Sequence, residues 1–324
     1  MIDVLLMHYG TPYREAEILP YYTDIRHGHP PPKPLLDELT ERYRRIGKSP
    51  LNEITFTLAS RLEAYLRLKA PRFPFGFAEP PAPRQEDDLP KVFVGTKHSR
   101  PTIEEAVAAM ASAGVRRAVG LVAAPHYSAR SIAEYEARAK AALAKLGEPF
   151  AFKMVPSYAE HPRYIAAVAE RVLEGLWRLR NPKEALVLFS AHSVPERSTQ
   201  LDGGLYPKQL EATARLVAHR LGIARWRLAY QSAGRTEEAW LGPDINEVIA
   251  SLPAEGIREV LVAAIGFPAD HLEVFYDIDI EAQETAKAAG VRLVRAPSLN
   301  AGTDYAEALA HIVEAVALSW ADEG

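Results

Sequence analysis

The chain has 324 residues, of which 48% are apolar and 25% charged, with 38 basic side chains against 42 acidic ones for a net charge of −4. Such a length exceeds one ordinary domain and suits two with sizeable cores, and the near balance of charge gives no ground for nucleic-acid binding. There is no cysteine; this excludes disulfides, thiolate metal ligands, iron–sulfur clusters and a thiol nucleophile, and leaves imidazole, carboxylate, phenolate or backbone oxygen to hold any metal.

The N-terminal stretch 1–7 is short and carries Asp3 where a signal peptide would be basic, so it reads as a first strand. No apolar run approaches the ~20 residues that span a bilayer, and a cytoplasmic protein is expected. The strand over 4–7 is followed by His8-Tyr9-Gly10-Thr11-Pro12-Tyr13, where Gly10 and Pro12 force a loop and leave aromatic hydroxyls and an imidazole at its mouth. Residues 35–46 have helical periodicity, with Leu36, Leu39 and Tyr43 on one stripe, Gly47 at the C-cap, and Arg44 and Arg45 on a face expected to be solvated. A second helix covers 54–68. Residues 70–90 are rich in proline, with Phe73, Phe75 and Phe77, and read as a surface connection. Strands over 92–95, 118–123 and 150–155 then alternate with helices over 101–113 and 131–146.

A second series begins with a helix over 162–178. It continues with strands over 185–189, 226–231, 259–264 and 291–295, separated by helices over 207–221, 244–252 and 270–289, and closes with a helix over 304–320. The alternation predicts parallel sheets. The expected fold is α/β, with two similar Rossmann-like, doubly wound units over 1–157 and 158–303, the helix 304–320 returning to the first. Ligands collect outside the carboxyl ends of such strands, and those ends carry the chemistry: Tyr9, Lys97 with His98, and His126 in the first half, then His192, Gln231 with Ser232, and the run Asp270 to Asp277 in the second. A cleft between the halves is the expected site.

A lone histidine at a strand end is more often structural, so His192 gains weight only from partners. Glu273 and Asp277, four apart, share a helix face, whereas His271 points elsewhere on a regular helix; a π-bulge would gather all three. Asp270 fits the first turn of that helix, where acids meet the positive dipole end. An imidazole near a carboxylate suits Fe²⁺ or proton transfer.

Taken together, Ser190-Ala191-His192-Ser193-Val194-Pro195, Gly266 to Val274, Gln231-Ser232 with Trp240-Leu241-Gly242-Pro243, and Tyr9-Gly10-Thr11-Pro12 resemble ferrochelatases over essentially the whole chain, most closely the bacterial coproporphyrin branch. The resemblance implies insertion of Fe²⁺, as a substrate, into a porphyrin held in the cleft, with no tightly bound cofactor. It implies that His192 and Glu273 handle the metal and the departing protons, and that Tyr9 is an axial ligand of product iron. It further implies porphyrin contacts from Tyr9, Arg26, Arg42, Tyr43, Ser49 and Tyr135, with Lys97, His98, His271 and Asp277 in support. A monomer in transient contact with neighbouring haem-pathway enzymes is expected. Protoporphyrin as the substrate, a tetrapyrrole carrier without chelatase activity, and a cobalt or nickel chelatase remain alternatives at this stage.

Overall fold

The structure is a computed structural model that describes residues 2–69, 89–234 and 236–320; the proline- and phenylalanine-rich segment therefore lies almost wholly outside the described residues. Strand β1 (Asp3–His8) shows why the first apolar run forms a central strand. Val4, Leu5, Leu6 and Met7 are all fully buried, as in a parallel strand covered on both faces. The chain then forms α1 (Ile18–Ile25), α2 (Lys33–Ile46), α3 (Leu51–Lys69), β2 (Val92–Thr96), α4 (Ile103–Ser112), β3 (Arg117–Val122), α5 (Ile132–Lys145) and β4 (Ala151–Met154). The second half contributes α6 (Pro162–Leu176), β5 (Leu186–His192), α7 (Glu196–Gln200), α8 (Leu205–Leu221), β6 (Trp226–Gln231), α9 (Ile245–Ser251) and β7 (Glu259–Ala263). It ends with a π-helix (Val274–Ala282), α10 (Gln283–Ala289), β8 (Arg292–Arg295) and α11 (Thr303–Leu318). The short α7 was not expected from periodicity.

The strands make two four-stranded parallel sheets, ordered β2-β1-β3-β4 and β6-β5-β7-β8. The order is the same in both, so β1 and β5 occupy equivalent places. Each is the strand from which the chain first steps to one side and then to the other, which puts its carboxyl end at a topological switch point. One apolar core runs between the sheets, joining Leu6 and Leu121 of the first to Phe189 and Leu261 of the second through α3, α6 and α11. The closing helix packs on α3 and β3 but also on α6, so it touches both halves.

Two local departures from expectation matter for the site. The helix after β7 does not start at Asp270. That carboxylate accepts from Arg295 (3.0 Å), Ser298 (2.6 Å) and Asn300 (2.9 Å), so Asp270 belongs to a side-chain network and not to a helix N-terminus. Helical backbone begins at Leu272 and passes at Val274 into nine residues of π-helix, where the sequence reading allowed a single bulge. The wider turn is a form that concentrates at functional sites.

Candidate active site

A cleft of about 360 Å³ opens between the two sets of strand ends, lined by His8, Tyr9 and Lys97 of the first half and by His192, His271 and Glu273 of the second. His192 is the last residue of β5. Its Nδ1 contacts the Ser193 carbonyl, which assigns a proton to Nδ1 and turns Nε2 outward into the cleft. That Nε2 lies 3.6 Å from Oε2 of Glu273. His271 is tethered the same way, Nδ1 donating to the Ala269 carbonyl at 3.0 Å, and its Nε2 lies 3.8 Å from the same Oε2. His271 meets Glu273 because it stands in the turn before the helix, not because of the π segment. Both imidazole Nε2 atoms thus face one carboxylate oxygen at 3.6 and 3.8 Å, although no group of three such side chains among the described residues is gathered closely enough to form a ready-made metal site.

Glu273 is a third exposed, since it sits on the floor of an open cleft and not inside a packed core. Desolvation pushes its carboxyl up, but the His192 charge, the His271 hydrogen bond and charge, and Arg42 outweigh it and hold the group at about 2. It is a carboxylate throughout the neutral range. Its charge reaches across the cleft: Tyr9 is raised above its ordinary value first by burial and then by Glu273, so Tyr9 stands as a neutral phenol, 38% exposed to the cleft.

The first half wraps Tyr9 in an aromatic cage. The His98 ring packs edge-on at 4.5 Å and Tyr21 at 6.5 Å, while the Lys97 ammonium lies 5.9 Å from the Tyr9 ring and 5.5 Å from that of Tyr135. Lys97 is ion-paired with Glu134, and His98 Nδ1 is hydrogen-bonded to Asp24 at 2.6 Å. His8 accepts the Tyr9 N–H on Nδ1 at 2.8 Å. Burial, then the nearby His271 charge, holds His8 at about 3, so it is a neutral imidazole whose one lone pair is already engaged. Tyr43 shares a hydrogen bond with Thr11 (3.0 Å), and Tyr43, Ser49 and Tyr135 all line the cleft.

The arginines are placed differently. Arg42 is not among the cleft-lining residues; it pairs with Glu38 (3.1 Å), approaches Asp277 (3.7 Å) and covers the Tyr276 ring at 4.6 Å. Arg45, expected on a solvated face, instead reaches the other half, donating to Tyr276 (3.3 Å) and Glu284 (3.0 Å). Arg44 does pair at the surface, with Glu15. Arg26 also stands outside the lining, and its buried Nε has no hydrogen-bond partner, as is true of the buried Ser49 hydroxyl. The sequence reading missed Arg130, Tyr206 and Trp240 in the lining; the loop 125–131 after β3 was the only signal for the first of them.

Asp277 is buried behind Glu273 on the π-helix and accepts from Ser232. Burial first, and the Glu273 charge second, raise its carboxyl to about 6, with Ser232 and Arg42 offsetting only part. In the unfolded chain it returns to the ordinary aspartate value of 3.8, so over roughly pH 4–6 the folded state keeps a proton that the unfolded state has lost. The stabilising contribution is full below this window and disappears as pH rises through it. Urea denaturation should show a loss of roughly 3 kcal/mol across the window from this group. In Asp277→Asn the loss should vanish; an unchanged slope would contradict the assignment. Glu273, held low, acts with the opposite sign and mostly below the window, losing its contribution as pH falls from 4.5 towards 2.

A paired imidazole and carboxylate at one strand end, opposed by a phenol at the equivalent end of the other sheet, coincides with a family-wide match: the ferrochelatase family model covers residues 2–317. The chain belongs to the ferrochelatase family. Ferrochelatase of Thermus thermophilus is 56% identical over 97% of this chain and 99% of its own, and the coproporphyrin III ferrochelatase of Geobacillus kaustophilus is 41% identical over 99% and 96%. In fold the chain matches SirB from Bacillus subtilis, a structure with Fe³⁺, at a TM-score of 0.61, 11% identity and 97% and 95% coverage. Ferrochelatase chemistry, with iron as a substrate, is thus the activity of this chain. No helix among the described residues is long and apolar enough to cross a membrane.

Proposed function

We propose that the protein inserts Fe²⁺ into coproporphyrin III, with His192 and Glu273 receiving the metal and Tyr9 ligating product iron from the other side. One observation carries the choice of ring: the cleft offers cationic and hydroxyl groups that no protein carboxylate engages. Arg130 lines the cleft with no ion pair among the described residues, and the buried Ser49 Oγ in the same lining has no hydrogen-bond partner. Coproporphyrin carries more propionates than protoporphyrin, and charge-assisted bonds to carboxylates are the strong ones. Relatives named coproporphyrin III ferrochelatase support the same reading.

Insertion exchanges two pyrrole N–H protons for one metal ion. The ionised Glu273 draws the cation, and Nε2 of His192 is placed to hand the ion on and to take up the two departing protons one after the other, passing each to solvent through the open cleft. Anaerobic Fe²⁺ insertion assays should give a higher kcat/KM for coproporphyrin III than for protoporphyrin IX, and Arg130→Ala should weaken coproporphyrin binding about tenfold. Equal or faster turnover of protoporphyrin would sink this substrate. Insertion into neither ring, with tight haem binding, would make the protein a carrier.

A further inference from the structure

The end of β5 needs a brace that its sheet does not provide. On one side, β6 stays in register with it as far as His192 and Gln231. On the other, β7 pairs only as far as Phe189 with Ala263. Beyond that point the Ser190 carbonyl takes the Gly266 N–H at 3.1 Å. Carbonyls two apart on a strand point the same way, so the His192 carbonyl extends past the last ladder partner on that side. Its partner is a side chain: the Tyr206 hydroxyl donates to it at 2.9 Å.

Tyr206 lies in the first turn of α8 and is 8% exposed. Gln209 and Thr213, three and seven residues on, continue the same helix face. Gln209 Oε1 accepts from the Tyr127 N–H (2.7 Å) and the Ser157 hydroxyl (3.0 Å). Thr213 donates to the Ala159 carbonyl (2.8 Å), so its oxygen receives Nε2–H of His126 (3.0 Å). His126 and Tyr127 belong to the loop after β3, and Ser128, Arg130 and Ser131 of the same loop line the cleft. A single helix face therefore ties the rim of the first half to the backbone of His192.

We infer that Tyr206 is a positioning residue for His192, and that α8 fixes the imidazole relative to the first-half rim on which the porphyrin lies. The inference rests on the proposed role of His192. Tyr206→Phe removes one hydroxyl and keeps the ring that lines the cleft. In anaerobic insertion of Fe²⁺ into coproporphyrin III, kcat should fall about tenfold and the KM for Fe²⁺ should rise severalfold. Porphyrin Kd from fluorescence quenching should stay within about twofold, because misplacement of a reacting group costs rate more than substrate affinity. The absorption spectrum of Co²⁺ titrated into the protein should change in the same variant, and this reads metal geometry independently of turnover.

A kcat and Fe²⁺ KM within about twofold of wild type would overturn the inference. So would porphyrin affinity falling in parallel with kcat, which would mark general loosening of the cleft. His192→Ala is the separate control: full turnover there removes His192 from the reaction, whereas loss of turnover there with an unaffected Tyr206→Phe overturns only the positioning role.

Discussion

His192→Ala and Glu273→Gln should each lower iron insertion by about 10²- to 10⁴-fold, the range for losing a positioned proton-transfer or charge-bearing group, while porphyrin Kd changes by less than about threefold. Each substitution removes one element of a pair that stands 3.6 Å apart. Alanine at 192 takes away the imidazole that Nδ1 holds in place. Glutamine at 273 is nearly isosteric but removes the negative charge that survives at neutral pH because two imidazoles and Arg42 outweigh desolvation. Neither change touches the rim residues Tyr43, Ser49 and Tyr135, which is why binding should persist. Fluorescence quenching for binding, set beside anaerobic turnover, separates the two effects. Near-normal turnover in either variant would take that residue out of the mechanism.

Gly266→Ala should damage both stability and turnover through a single added methyl group. A Cβ there would lie 2.6 Å from the Ala191 Cβ and 2.8 Å from its Cα, and Ala191 is fully buried in β5. Backbone cannot yield as a flexible side chain would, so β5 and the turn carrying Phe267 and His271 must separate. Overpacking of this kind costs about 1–3 kcal/mol of stability. A displacement near 1 Å at His192 would cost roughly 10²-fold in rate. Urea denaturation and kcat measured on the same preparation test both consequences, and a variant with wild-type stability and turnover would show that the two elements can part freely. The bulkier Gly266→Val should be worse on both counts.

The strands and their parallel order were legible because buried parallel strands are near-continuous apolar runs bounded by Gly and Pro, as at 4–7 and 185–189. His192, Glu273 and Tyr9 were legible because polar residues at strand ends stand out against those runs. The length of the π-helix was not, since apolar spacing over 274–282 does not distinguish a wider turn from an ordinary helix. Arg42 and Arg45 looked like a rim contact and a solvated charge because their partners, Asp277, Tyr276 and Glu284, are more than two hundred residues away. Tyr206 was invisible for a related reason: its partner is a backbone carbonyl, which every residue has. Asp270 was misassigned to a helix start because the donors to its carboxylate, Arg295, Ser298 and Asn300, lie at the end of β8 and just beyond it.

The shared strand order has a consequence for how this enzyme can diverge. Each half delivers its reactive group from the same architectural address, one through the loop after β1 and the other through the end of β5. A flat macrocycle has two faces, and a duplicated scaffold supplies one independent tool for each. On the proposed roles, changes around Tyr9 would act first on how the finished complex is held and would reach His192 and Glu273 only through the charge that Glu273 exerts across the cleft. On the same proposal, changes at His192 and Glu273 would alter which ion is delivered while leaving Tyr43, Ser49 and Tyr135 of the first half in place. The apolar core is common property of both halves, whereas the chemistry is divided between them and can be altered separately.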